Sequence, residues 1–479
     1  YIRRPVLVNQ EINRPGTTRS RQVAGRDLFL VGVACFFVFA YFYQGEGWSQ
    51  NSHFYTIRSI VERGTFEITP FESQTGDISN VNGRIYSNKP PGLPLLGAPI
   101  YWLLRSIESD PSAPGTELFN KYLLTLLLSG VPAALLVVML CSYFRRGGAD
   151  GRTALLLAGG FAFGSLVFPY SGMLFNHVIV AALLFAAWLL VSSDRQCDRR
   201  ALLAGLLLGV AALTEYLAGP LVLLYLVYEI WKRRNLRRAA LMCVGPALAL
   251  LGLLVYHQVN FGSALTPSYV YDNPEFVQKD LPLGKFSWPD LSRLYYLSYH
   301  RMRGLFVCCP VFMLPVLSLL LIRRRPRAEE VFALALTGYF VLFLLCYHYW
   351  AGGWGVGPRF LIPALAFIFI FARPAFERFP KICGVFILLS ILNMLAVTSV
   401  QAMYPGHDTG PPRHFDPIGV CLQKLWMGQL AQGEQSFNLG MLMGLKGWAS
   451  LAPPVALIVV FYIVALRGRR IFTAESCEG

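Results

Sequence analysis

The chain has 479 residues, 55% hydrophobic and 14% charged, with a mean hydropathy of +0.48. Soluble globular domains carry about 25% charged residues, so this balance excludes an ordinary soluble enzyme and points to a protein that crosses a membrane repeatedly. The net charge of +15 does not indicate a nucleic-acid partner, because the basic residues fall in short clusters between apolar runs.

Residues 1–27 are basic and polar and hold Pro5 and Pro15. They read as a cytoplasmic tail, since a secretory signal would place its apolar core nearer the start. Twelve apolar runs follow, at 28–43, 120–143, 153–168, 174–191, 201–213, 217–231, 239–256, 304–322, 331–349, 358–372, 382–400 and 449–466. The predicted fold class is an all-α polytopic bundle of about 12 transmembrane helices in one membrane domain over 28–470. Its outer loops are 44–90, 257–303 and 401–447, and a cytoplasmic tail covers 471–479. The segment 91–104 is apolar, but residues 90–99 hold four prolines, which suits a re-entrant or interfacial helix better than a span.

With both termini inside, 27 of the 42 Lys and Arg residues fall in the tails and the short inner loops, as the positive-inside rule requires. All seven histidines then lie in outer parts or at helix ends facing them. The ten cysteines form no CxxC pair, and Cys35, Cys141, Cys243, Cys346 and Cys383 lie in or beside apolar runs as small hydrophobes.

Four stretches carry candidate chemistry. In 48–96, the carboxylates Glu67, Glu72 and Asp77 stand with His53, Arg84 and Lys89, and Asn82-Gly83 predicts a tight hairpin turn. Such carboxylates can take a proton where a cation holds a leaving phosphate, although charges in a solvated loop have the same composition. Glu215, in LTEYLAGP, is an acid beside hydrocarbon; it either belongs to a site or pairs with an arginine to fix two helices. His300, Arg301 and Arg303 sit just outside a span against the charge rule, which fits an anion or a salt bridge to the acidic first loop. In YHYWAGGWGVGPRFLIPAL, the aromatics fit an interfacial belt, while Arg359 after a Gly-rich turn fits a phosphate contact or a snorkelling cation.

Taken together, YSNKPPGLPLLGAPIYWL, the TEY turn, HRMRGLFVCCPVFML and GGWGVGPRFLIPALAF resemble the integral-membrane GT-C glycosyltransferases. The narrower likeness is to the bacterial protein-mannosyltransferase and aminoarabinose-transferase branch, and it covers about 28–400. The resemblance implies an outward-facing cleft that transfers a sugar from a polyprenyl-phosphate donor to a lipid, glycan or protein acceptor. It also implies a base in the first outer loop and cations on the lipid phosphate. Lys89 matches the lysine of the KPP string. Asn51 stands where that family often has an acid, and an amide cannot take a proton.

Asp77 is therefore the expected base, with Glu72 and Glu67 behind it. Lys89, Arg84, Arg303 and Arg359 are the expected phosphate contacts, and His53 is the residue expected to orient the acceptor. Tyr86, Glu215 and His300 complete the expected binding set. No cofactor is predicted and a divalent metal is left open. The partners expected are the donor, the acceptor, membrane lipids and a membrane complex, in a bacterial inner membrane. A non-catalytic GT-C-like subunit that binds a lipid or a partner complex is the competing expectation.

Overall fold

The computed structural model describes residues 16–467 except 46, 109, 111–112, 114, 194–196, 275–284, 302, 354, 404–417, 420 and 422–434; the side chains of 16–24 also fall outside it. Most of both predicted cytoplasmic tails, Trp354, and His407 and His414 of the predicted outer loop 401–447 lie outside the described residues.

Every one of the twelve apolar runs contains helix, and the chain is an all-α polytopic membrane protein. Five helices among the described residues are long and apolar enough to cross a bilayer: Thr116–Arg146, Leu236–Phe261, Ala328–Cys346, Pro380–Val400 and Trp448–Arg467. A sixth span arises if Arg359–Phe369 and Ala372–Arg378, which bend by 57° against each other, are taken as one. Asn176–Val191 and Pro310–Leu321 are apolar but shorter. Ser165 ends the run predicted at 153–168 after the helix Gly151–Gly164.

Helix Gly151–Gly164 is buried from Thr153 onward and lies at the centre of the bundle. Asp150 starts it by accepting the Thr153 N–H at 2.8 Å, which satisfies a donor that the first turn would otherwise leave unpaired. The helices Asp198–Thr214 and Leu236–Phe261 approach through Gly205, Gly209 and Gly245, where an added Cβ would lie within 2.5 Å of the facing backbone. Without water to drive association inside lipid, such small residues let backbones pack closely. The outer sides of Leu236–Phe261 and Pro380–Val400 expose Leu248, Leu251, Val255, Val385, Leu388 and Leu392, the apolar stripe a lipid-facing helix presents.

The first outer stretch folds as a unit. Helix Trp48–Arg63 ends at Gly64, whose φ of 65° is the left-handed cap that glycine adopts without strain. A 3-10 turn, Thr69–Gln74, leads to the antiparallel strands Ile78–Val81 and Arg84–Ser87. They turn at Asn82 and Gly83, both at positive φ (53° and 83°), as the two-residue hairpin needs. Helix Gly92–Ile107 then lies on Trp48–Arg63. One of its ends is at the backbone of Leu213 and Thr214, and the other is at Glu62, which Arg105 Nε meets at 3.2 Å. The nine described cysteines are all free.

Candidate active site at the mouth of the bundle

Helix Trp48–Arg63 buries its polar N-terminal half, because Asn51, Ser52 and His53 face the hairpin and not water. Ser52 Oγ donates to the Asp77 carbonyl at 2.8 Å and lies 2.6 Å from Ser87 Oγ, which in turn accepts the Lys89 N–H at 3.1 Å. Thr75 Oγ1 donates to the Trp48 carbonyl at 2.7 Å and accepts the Asp77 N–H at 3.1 Å. These short hydroxyl links fix both ends of the hairpin, and so set the two charged side chains that leave it. Asp77 Oδ2 and Lys89 Nζ stand 3.0 Å apart, with side chains 13% and 16% exposed. Burial pushes the Asp77 carboxyl up, but Lys89, and behind it Arg359, outweigh it and hold the group below its ordinary value.

The KPPG string has a steric reason. A Cβ on Gly92 would lie 2.5 Å from the Leu213 carbonyl group and the Thr214 nitrogen, so only glycine lets the start of Gly92–Ile107 reach the end of Asp198–Thr214. That approach sets Lys89 beside Glu215. Glu215 accepts from Asn176 Nδ2 at 2.8 Å and from the Leu217 backbone N–H, and lies 3.7 Å from His177 Nδ1; no arginine forms an ion pair with it among the described residues. Burial raises its carboxyl to about 7, against the pull of Lys89 and Arg359.

Arg359 closes the cluster. Its guanidinium lies over Phe175 at 4.9 Å and Phe360 at 5.3 Å, and its Nε is buried with no hydrogen-bond partner among the described residues. His53 is fully buried, and neither of its ring nitrogens has a hydrogen-bond partner among the described residues. Burial and then Lys89 push it down to about 3, so the imidazole is neutral at physiological pH.

The structure thus brings together Asp77, Lys89, His53, Glu215 and Arg359 of the expected residues, and leaves the others outside. Arg84 is exposed beside the hairpin turn, and Glu72 is exposed on the 3-10 turn. Glu67 accepts from Thr69 Oγ1 at 2.7 Å and is tied up locally. Tyr86 packs on Phe261 with ring centroids 5.5 Å apart, as part of an aromatic cluster with Tyr256. His300 packs at a tilt against Tyr296, with ring centroids 5.1 Å apart. Arg303 makes no ion pair with the first loop among the described residues. It is buried and donates to the carbonyls of Gly353, Gly355 and Gly357, so it shapes the turn that presents Arg359. Asn51 donates to the Gln74 carbonyl at 2.8 Å, which holds the 3-10 turn in place. Among the described residues no group of three or more His, Cys, Asp or Glu is gathered as a metal would need.

Sequence reasoning missed Asp272 and Lys285. They form a buried ion pair in the 257–303 loop, and Asp272 Oδ1 accepts from Asn88 Nδ2 at 2.7 Å, immediately before Lys89. The backbone of Ser79 bridges to Asp272, and Ser268 Oγ donates to the Asn88 carbonyl at 3.0 Å. The loop holds nine charged residues, so nothing in its sequence singled out these two.

No family model and no curated protein matches the chain. Seven chains of solved structures match it. ArnT from Cupriavidus metallidurans bound to undecaprenyl phosphate is 14% identical with a TM-score of 0.48, and covers 94% of this chain and 77% of that one. ArnT in the apo state is 15% identical with a TM-score of 0.45, at 95% and 77% coverage. The Archaeoglobus fulgidus oligosaccharyltransferase in the apo form is 12% identical with a TM-score of 0.43, and covers 93% of this chain and 56% of that one. These likenesses run over nearly the whole of this chain at low sequence identity.

Proposed function

We propose that this chain transfers a sugar from a polyprenyl-phosphate-linked donor to a hydroxyl or amide of a lipid, glycan or protein acceptor, at the end of the bundle where Asp77 and Lys89 stand. The observation that carries this reading is the 3.0 Å Asp77–Lys89 pair, held by hydroxyl links and flanked by Arg359. The donor phosphate competes with Asp77 for Lys89 and lies between Lys89 and the unpartnered Arg359 Nε. Once Lys89 is drawn to phosphate, Asp77 is a free carboxylate for the acceptor.

In the transfer step the acceptor heteroatom attacks the anomeric carbon while its proton passes to Asp77. The bond from anomeric carbon to phosphate oxygen breaks, and its electron pair leaves with the lipid phosphate. Lys89 and Arg359 stabilise the charge that develops there, a contribution of about 3 kcal/mol for each well-placed group. His53, neutral and with neither nitrogen hydrogen-bonded among the described residues, suits a polar group of the acceptor or the sugar.

The test is a reconstituted transfer assay with a polyprenyl-phosphate sugar. Asp77→Asn is expected to lower kcat by about 100- to 10,000-fold while leaving donor affinity nearly unchanged, whereas Lys89→Gln is expected to weaken donor binding. Unchanged turnover in Asp77→Asn would remove the assignment of the base. Asn51, engaged in a structural bond where an acid would be expected, favours a second reading as a non-catalytic subunit that binds the lipid. Wild-type protein that binds polyprenyl phosphate but transfers no sugar in that assay would favour it.

A further inference from the structure

At the end of the bundle away from Asp77, helices Pro380–Val400 and Trp448–Arg467 both lie on Gly151–Gly164 and leave a cleft of about 700 Å3 between them. That size is within the range of about 300–1,000 Å3 for ligand pockets. Leu156, Ile387 and Ile391 make its walls. Tyr462 also lines it, with its hydroxyl turned in against Gly159. The cleft adjoins apolar faces that meet lipid, since Leu388 and Leu466 at its sides are about half exposed.

The rim is charged. Arg152 is half-buried and makes no ion pair among the described residues. Glu377 is exposed and gives one oxygen to Arg373 at 2.6 Å, while Asp150 is committed to capping Thr153. An apolar slot with a guanidinium and a carboxylate at its mouth matches an acyl chain joined to a headgroup with both signs of charge. We infer that the cleft holds a phospholipid with a phosphoethanolamine headgroup. The phosphate meets Arg152, and the primary ammonium meets the Glu377 oxygen that Arg373 does not hold. An anionic headgroup would leave Glu377 facing negative charge, and a trimethylated ammonium could not donate to it.

Gly384 provides a direct probe. It lines the cleft, and an added Cβ there meets nothing within 4 Å, so Gly384→Trp fills the space without a clash at the backbone. The experiment is native mass spectrometry of the full chain with phosphatidylethanolamine, phosphatidylglycerol or phosphatidylcholine added in turn, with thermal melting as a check on folding. The expected result is preferential retention of phosphatidylethanolamine, lost in Gly384→Trp. Arg152→Gln should weaken retention about fivefold, and Glu377→Gln should erase the preference over phosphatidylglycerol. Equal retention of all three lipids, or undiminished retention in a folded Gly384→Trp, overturns the inference. If Gly384→Trp fails to fold, the two rim variants decide in the same way.

Discussion

At Asp77 and Glu215 the same burial has opposite outcomes, because Lys89 is bonded to one and only near the other. Asp77 sits below its ordinary value, so it remains a base well into the acid range. In Lys89→Gln the lowering partner is gone and burial is left, so the acid limb of kcat/KM should move to higher pH. An unmoved limb would mean that Lys89 does not set the charge of Asp77. Glu215, raised to about 7 from 4.5, binds its proton more tightly folded than unfolded. Its stability contribution is therefore greatest below about pH 4.5 and falls as pH rises to about 7, by on the order of 3 kcal/mol. His53, lowered from 6.5 to about 3, works in the other direction and loses stability as pH falls below 6.5. Glu215→Gln should leave the His53 trend alone, so its melting temperature should rise more steeply from pH 5 to pH 7 than that of the wild type. A parallel pH profile would show that Glu215 is ionised throughout.

At the scale of elements, the site is a junction of four segments, and each joint has one residue that decides it. The hairpin was legible from Asn82-Gly83, because a two-residue turn with two positive φ angles has few sequences that allow it. The strap from the 257–303 loop was not legible, since neither Asp272 nor Lys285 has a local pattern that reveals a partner. Asp272→Asn would leave Lys285 as an uncompensated buried cation, since the amide can still accept from Asn88 but carries no charge. It should lower stability by about 3–5 kcal/mol, seen as a drop in melting temperature, and should reduce transfer with it. Gly92→Ala meets the backbone of Leu213 and Thr214, which cannot rotate away as a side chain could. It should cost about 1–3 kcal/mol and weaken donor binding by moving Lys89; melting and donor titration together check both effects.

Across the whole molecule, the geometry of Gly92–Ile107 bears on every later loop. Both ends of this helix are tied to the end of the bundle that carries the site, at Thr214 and at Glu62. If it does not cross the membrane, the hairpin and the 372–381 loop lie on opposite sides. In a chain with the exposed Cys197 and Cys243 replaced by serine, Arg84→Cys should react with an impermeant maleimide from outside the cell. Glu377→Cys should react only after the membrane is opened. Labelling of both from outside would mean that 91–104 spans.

Composition and periodicity by themselves determined the helical membrane class, the twelve apolar runs and the polar first loop, because lipid admits only backbones that bond internally. They also offered Asp77 and Lys89 among several candidate acids and cations of that loop, since charge is scarce enough here to be noticed, but their pairing came from the structure. Tertiary structure alone decided that Arg303 reaches the carbonyls of the turn before Arg359, that Tyr86 packs on Phe261, and that Asp272 and Lys285 meet beside Asn88. Those roles depend on which side chains meet across 50 to 200 residues of chain, and such meetings are set by backbone approach at positions like Gly92 and not by any local spacing.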